Sequence, residues 1–129
     1  MSKKILVVVD EPDAIDFVKE VLEGEGYMVV TAGDGVKGLA AMRREHPDLV
    51  FLDVQMPELD GFETFQEMAK DEALKNIPVV MLTGIKEKVG IGFSADEMKD
   101  YMGMKPAAYL EKPIDPAKVR ETMKKILPI

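Results

Sequence analysis

Short, almost wholly apolar runs recur along this chain, each separated from the next by a stretch with helical periodicity. The first, Ile5-Leu6-Val7-Val8-Val9, is of strand length, and its unbroken β-branched character fits a strand buried on both faces. Strands of that kind belong to parallel sheets, because the crossover that returns the chain to the same edge lays a helix over each face. A chain that repeats such a unit has few other folds open to it.

The repeats follow in order. Pro12 stands where a first helical residue would, and Ile15, Phe17, Val18, Val21 and Leu22 recur at helical spacing over 12–23. Gly24 and Gly26 mark the exit before a second strand over 27–31. Gly33-Asp34-Gly35 opens a second helix carrying Val36, Leu39, Ala40 and Met42, which Pro47 closes ahead of a strand ending at Asp53. A third helix is expected over 62–71, a fourth strand over 77–82, a helix over 95–102 and a last strand over 107–111. Asp115-Pro116 then caps a helix in which Val119, Met123, Ile126 and Leu127 share a face. The alternation predicts a single α/β domain over 1–129, doubly wound, with right-handed crossovers and helices on both faces.

Composition narrows the function. With 129 residues there is room for one sizeable core. Lys+Arg 17 against Asp+Glu 24 leaves a net charge of -7, which opposes direct binding to a nucleic-acid backbone. Lys3 and Lys4 precede only a short apolar run, neither a signal-peptide core nor a membrane span, so a cytoplasmic location is the default expectation. The absence of cysteine removes disulfides and thiolate metal sites.

In open parallel sheets ligands bind beyond the carboxyl ends of the strands. Those ends carry Asp10-Glu11, Asp53, Thr83-Gly84 and Lys112-Pro113. Two acids, a hydroxyl and an ammonium suit phosphoryl transfer. A carboxylate can attack phosphorus, and Mg²⁺ held by carboxylates neutralises phosphoryl oxygens. A hydroxyl and a lysine can bind the remaining oxygens. Magnesium tolerates a sparse cage because it keeps several waters.

Asp10, the run Asp53-x-x-Met56-Pro57-x-x-Asp60-Gly61, Thr83-Gly84 and Tyr109-x-x-Lys112-Pro113 together resemble the CheY-like receiver domain of bacterial two-component response regulators, over nearly the whole chain. The resemblance implies a flavodoxin-like five-stranded sheet in the order 2-1-3-4-5. It implies that Asp53 is the phosphoacceptor, served by the phosphohistidine of a sensor histidine kinase or phosphotransfer protein, or by a small acyl phosphate. Asp10, Asp53 and the backbone carbonyl of Gln55 would hold Mg²⁺. Thr83 and Lys112 would bind the phosphoryl group, with Thr83 and Tyr109 forming a switch that reshapes the last two strand–helix units for a downstream protein partner. The product would be a signalling switch, monomeric or dimerising on phosphorylation, with autodephosphorylation as its only catalysis.

Two departures stand out. Receivers usually carry adjacent acids at the end of the first strand, and here Val9 occupies the first of those positions. Metal binding should therefore weaken, with Glu11 contributing indirectly to the negative field. Without the missing acid, a pseudo-receiver that binds partners independently of phosphorylation is the alternative. The stretch 85–104 is also longer than usual, and Phe93, Met98, Met102 and Met104 there could form an adaptable patch or ordinary core contacts. An aspartyl phosphatase fits less well, since its nucleophile leads a DxD motif on the first strand. His46, before Pro47, reads as a helix-end residue.

Overall fold

The structure, a computed structural model, describes residues 3–54, 61–83, 107–111 and 114–127, without the side chains of Thr83 and Glu111. The elements are β1 (Lys4–Val8), α1 (Pro12–Gly24), β2 (Met28–Ala32), α2 (Gly35–Glu45), β3 (Leu49–Asp53), α3 (Gly61–Lys70), β4 (Val79–Thr83), β5 (Ala108–Glu111) and α4 (Pro116–Ile126). The helix expected over 95–102 and the apolar residues of 85–104 lie outside the described residues.

All five strands are parallel and lie in the order β2-β1-β3-β4-β5, the order implied by the resemblance. β1 is an inner strand between β2 and β3, and every residue from Ile5 to Val9 is fully buried. That is what an unbroken apolar run requires, because its side chains alternate between two covered faces. Leu6, Val8, Val50, Leu52, Val79 and Met81 face one layer, where Leu39 and Met42 of α2 and Phe65 and Met68 of α3 pack on them. Ile5, Val7, Val9, Leu49, Phe51, Val80 and Leu82 face the other, covered by Val18 and Leu22 of α1 and Val119 and Met123 of α4. Each such buried side chain contributes about 1.5–3 kcal/mol.

The helix ends follow the expected chemistry. Asp34 caps α2, its carboxylate accepting from the Lys37 amide at 2.8 Å, and Asp115 caps α4 by accepting from the Ala117 amide at 2.8 Å. His46 closes α2 in the left-handed region (φ 49°), its amide donating to the Met42 carbonyl. Left-handed closure there suits a residue whose successor, Pro47, disfavours the right-handed helix.

Three apolar positions depart from the sequence reading. Phe17 is 36% exposed, Val36 is 53% exposed, and Ala40 is exposed as well. All three sit on helices whose buried stripe is narrower than the run of apolar residues, so periodicity assigned them to a face that packing does not use. β4 also begins at Val79 rather than Ile77. Pro78, which lacks a donor, still contributes its carbonyl to the Val50 amide at 3.0 Å.

Candidate functional site

Because the strands are parallel, their carboxyl ends share one edge. β1 leads through buried Val9 to Asp10, which is exposed, and Glu11 stands at the entry of α1. β3 ends in Asp53, which is fully buried. β1 and β3 are direct neighbours with Val8 opposite Leu52, so the two exits emerge side by side. The result is a cluster in which ligand oxygens of Asp10, Glu11 and Asp53 all lie within 4.8 Å of one another.

Three carboxylates at that spacing repel one another by roughly 1 kcal/mol per pair in water, and by several times as much where water is partly excluded. A cation between them relieves that repulsion. The donors are all carboxylate oxygens, with neither imidazole nor thiolate in the cluster, a set suited to a hard ion such as Mg²⁺. Glu11 is the N-cap residue of α1, yet its side chain makes no cap hydrogen bond to the first turn. Its carboxylate stands beside those of Asp10 and Asp53.

The end of β3 is held from two sides. The Val54 amide donates to the Leu82 carbonyl of β4 at 3.0 Å, and the Gly61 amide at the start of α3 donates to the Val54 carbonyl at 2.8 Å. Gly61 approaches so closely that a Cβ built on it would collide with the carbonyl oxygen of Asp53 and lie 2.7 Å from Val54 Cα. This contact was not anticipated. Its only sequence signal is a glycine shortly after a strand-end acid, which equally marks a turn.

The other expected residues are placed in part. Thr83 ends β4 and pairs in the ladder with Glu111. Tyr109 lies opposite Met81 and packs against the core layer under α2 and α3, where burial raises its phenol pKa. Gln55 and Lys112 lie outside the described residues, as does the side chain of Thr83.

The response regulator receiver domain family matches residues 5–124. The chain belongs to that family. This receiver domain is 36% identical to the alkaline phosphatase synthesis transcriptional regulatory protein PhoP of Bacillus subtilis, over 98% of its own length and 49% of that protein's. It is 32% identical to the polar-differentiation response regulator DivK of Brucella ovis, with 98% of each chain covered. The chain thus spans about half of one curated relative and nearly all of another. Among solved structures, the chemotaxis response regulator CheY4 of Vibrio cholerae superposes with a TM-score of 0.84 at 28% identity, covering 98% of this chain and 100% of that one. The N-terminal domain of a response regulator receiver protein from Methanoculleus marisnigri does so with a TM-score of 0.72 at 34% identity, over 98% and 97% of the two chains. No helix among the described residues of this receiver domain is long and apolar enough to cross a membrane.

Proposed function

We propose that this receiver domain is a phosphorylation-controlled signalling switch whose phosphoacceptor is Asp53. The observation that carries the reading is the convergence of a buried strand-end carboxylate with two exposed acids at the carboxyl edge of the sheet. A carboxylate oxygen of Asp53 forms a bond to phosphorus as the bond to the donor's imidazole nitrogen or acyl oxygen breaks. The electron pair leaves with the donor, which departs as imidazole after taking up a proton, or as a carboxylate.

Asp10, Asp53 and the Gln55 backbone carbonyl would hold Mg²⁺, with Glu11 beside them. Bound there, the ion supplies charge neutralisation for the phosphoryl oxygens. Thr83 and Lys112 bind those oxygens in turn, and Tyr109 follows Thr83 to reshape the β4–β5–α4 side of the domain for a protein partner. The donor is a sensor histidine kinase or phosphotransfer protein in the cytoplasm, and catalysis is confined to self-phosphorylation and autodephosphorylation.

One observation favours a second reading, a pseudo-receiver whose binding ignores phosphorylation. Val9, where the family usually carries an acid, is fully buried among core side chains. Incubation with Mg²⁺ and a small acyl phosphate, followed by intact-mass measurement of wild type and Asp53→Asn, separates the two. A phosphoryl group gained by wild type and absent from the variant supports the switch. No gain at saturating Mg²⁺ favours the pseudo-receiver.

A further inference from the structure

We propose that Gly61 is a positioning residue for Asp53: by lacking a side chain it lets the start of α3 seat against the backbone of the phosphoacceptor and fix where its carboxylate stands. The inference rests on the reading of Asp53 as phosphoacceptor and names a determinant of that site on a different element.

Glycine is required at position 61 for space rather than for backbone freedom. Among the described glycines only Gly26 has a positive φ, so Gly61 adopts a conformation open to any residue. What a side chain would meet is backbone. A Cβ would fall on the Asp53 carbonyl oxygen and lie 2.7 Å from Val54 Cα and 2.9 Å from the Asp53 carbonyl carbon. No rotamer change relieves such an overlap; either the end of β3 or the start of α3 must move. β3 is hydrogen-bonded to β4 at this point, and α3 is anchored in the core by Phe65 and Met68.

Two other glycines supply contrasts. At Gly38 the obstructing atoms are the methyl groups of Val8, 2.9 and 3.0 Å away, inside the core. At Gly24 nothing lies within 4 Å. Gly61 alone of these three touches the segment that carries the buried acid. The Gly61 amide also donates to the Val54 carbonyl, so the chain leaving β3 and the chain entering α3 are clasped at two adjacent points. Displacing that clasp shifts Asp53 relative to Asp10 and Glu11, which are delivered by a different strand. Reacting groups must be held to within about 0.5 Å, and misplacement by about 1 Å can cost about 100-fold in rate.

The test compares Gly61→Ala with Gly38→Ala and Gly24→Ala in the full chain. Each is measured for thermal unfolding, for Mg²⁺ affinity without any phosphoryl donor, and for phosphorylation rate with a small acyl phosphate. Gly61→Ala is expected to lose affinity and to slow by at least about 10-fold. Gly38→Ala should lose stability while keeping wild-type affinity and rate, and Gly24→Ala should keep affinity and rate with no loss of stability. A folded Gly61→Ala with wild-type affinity and rate overturns the inference. So does a Gly38→Ala that suffers the same site losses for the same drop in stability. Should Gly61→Ala unfold, the measurements are repeated in a stabilising osmolyte; failure to fold even there assigns Gly61 to the fold at large and overturns its positioning role. A wild type that binds Mg²⁺ without taking up a phosphoryl group refutes the phosphoacceptor reading, and the affinities still decide Gly61. A wild type that binds no Mg²⁺ overturns both.

Discussion

The Tyr27 hydroxyl donates to the Leu127 carbonyl at 2.6 Å, joining the entry of β2 to the end of α4 across 100 positions of sequence. α1 and α4 cover the same face of the sheet, and this bond ties their neighbouring ends. Tyr27→Phe keeps the buried ring but strands the carbonyl, and is expected to cost about 1 kcal/mol in urea unfolding at neutral pH. Burial first, and the nearby Glu25 charge second, raise the Tyr27 pKa above its ordinary 10.0. The folded state therefore holds this proton more tightly than the unfolded chain. Its contribution is complete below pH 10 and is lost as pH rises through the higher folded value. Tyr27→Phe should make the alkaline decline shallower without abolishing it, because the pKa of half-buried Tyr109 shifts in the same direction.

Gly38 and Val8 form a second testable pair. Alanine gains about 1 kcal/mol over glycine in a helix, but at Gly38 its methyl meets Val8 in a filled core, where overpacking costs about 1–3 kcal/mol. Gly38→Ala is expected to destabilise wild type and to stabilise the Val8→Ala background. A double-mutant cycle in urea with coupling of less than about 0.5 kcal/mol would contradict the contact.

Val9→Asp restores the acid that the family usually carries. Mg²⁺ affinity, measured by calorimetric titration, is expected to rise by about 10-fold. Without metal the same change should lower stability by about 1–3 kcal/mol, because it places a carboxylate among core side chains. Mg²⁺ should then raise the unfolding temperature more in the variant than in wild type. Unchanged affinity would mean that position 9 does not address the ion.

Asp34 and Asp115 cap helices on opposite faces of the sheet. Replacing either with alanine is expected to cost about 1 kcal/mol. Neither belongs to the carboxylate cluster, so both variants should bind Mg²⁺ as wild type does. With no shared partners the two losses should add in the double variant.

The sheet was legible because each buried strand writes an unbroken apolar run, and Ile5 to Val9 or Leu49 to Leu52 cannot be accommodated elsewhere. Asp10 and Asp53 were legible for the same reason, as the first acids after such runs. Phe17 and Val36 misled because hydrophobicity marks what can be buried, whereas the area of contact decides what is. The position of the Glu11 carboxylate beside Asp10 and Asp53 was not legible, since an exposed residue at a helix entry has no periodic neighbour to fix its direction. The approach of Gly61 to Asp53 was invisible because it depends on where two backbones meet in space, which no spacing along one of them encodes.

The cluster hangs from a single ladder. Asp10 and Glu11 follow β1, Asp53 ends β3, and the register that sets Val8 against Leu52 is what brings them level. Sliding one strand past the other by one residue would move Asp53 by about 3.3 Å and turn it to the opposite face of the sheet. Such a mispaired species would keep the same strands and helices and much the same far-ultraviolet spectrum. Its carboxylates would no longer meet. In the proposed reading, cation binding would therefore serve as a proofreading gauge for this protein, reporting whether the chain has found its correct pairing when its content of secondary structure cannot.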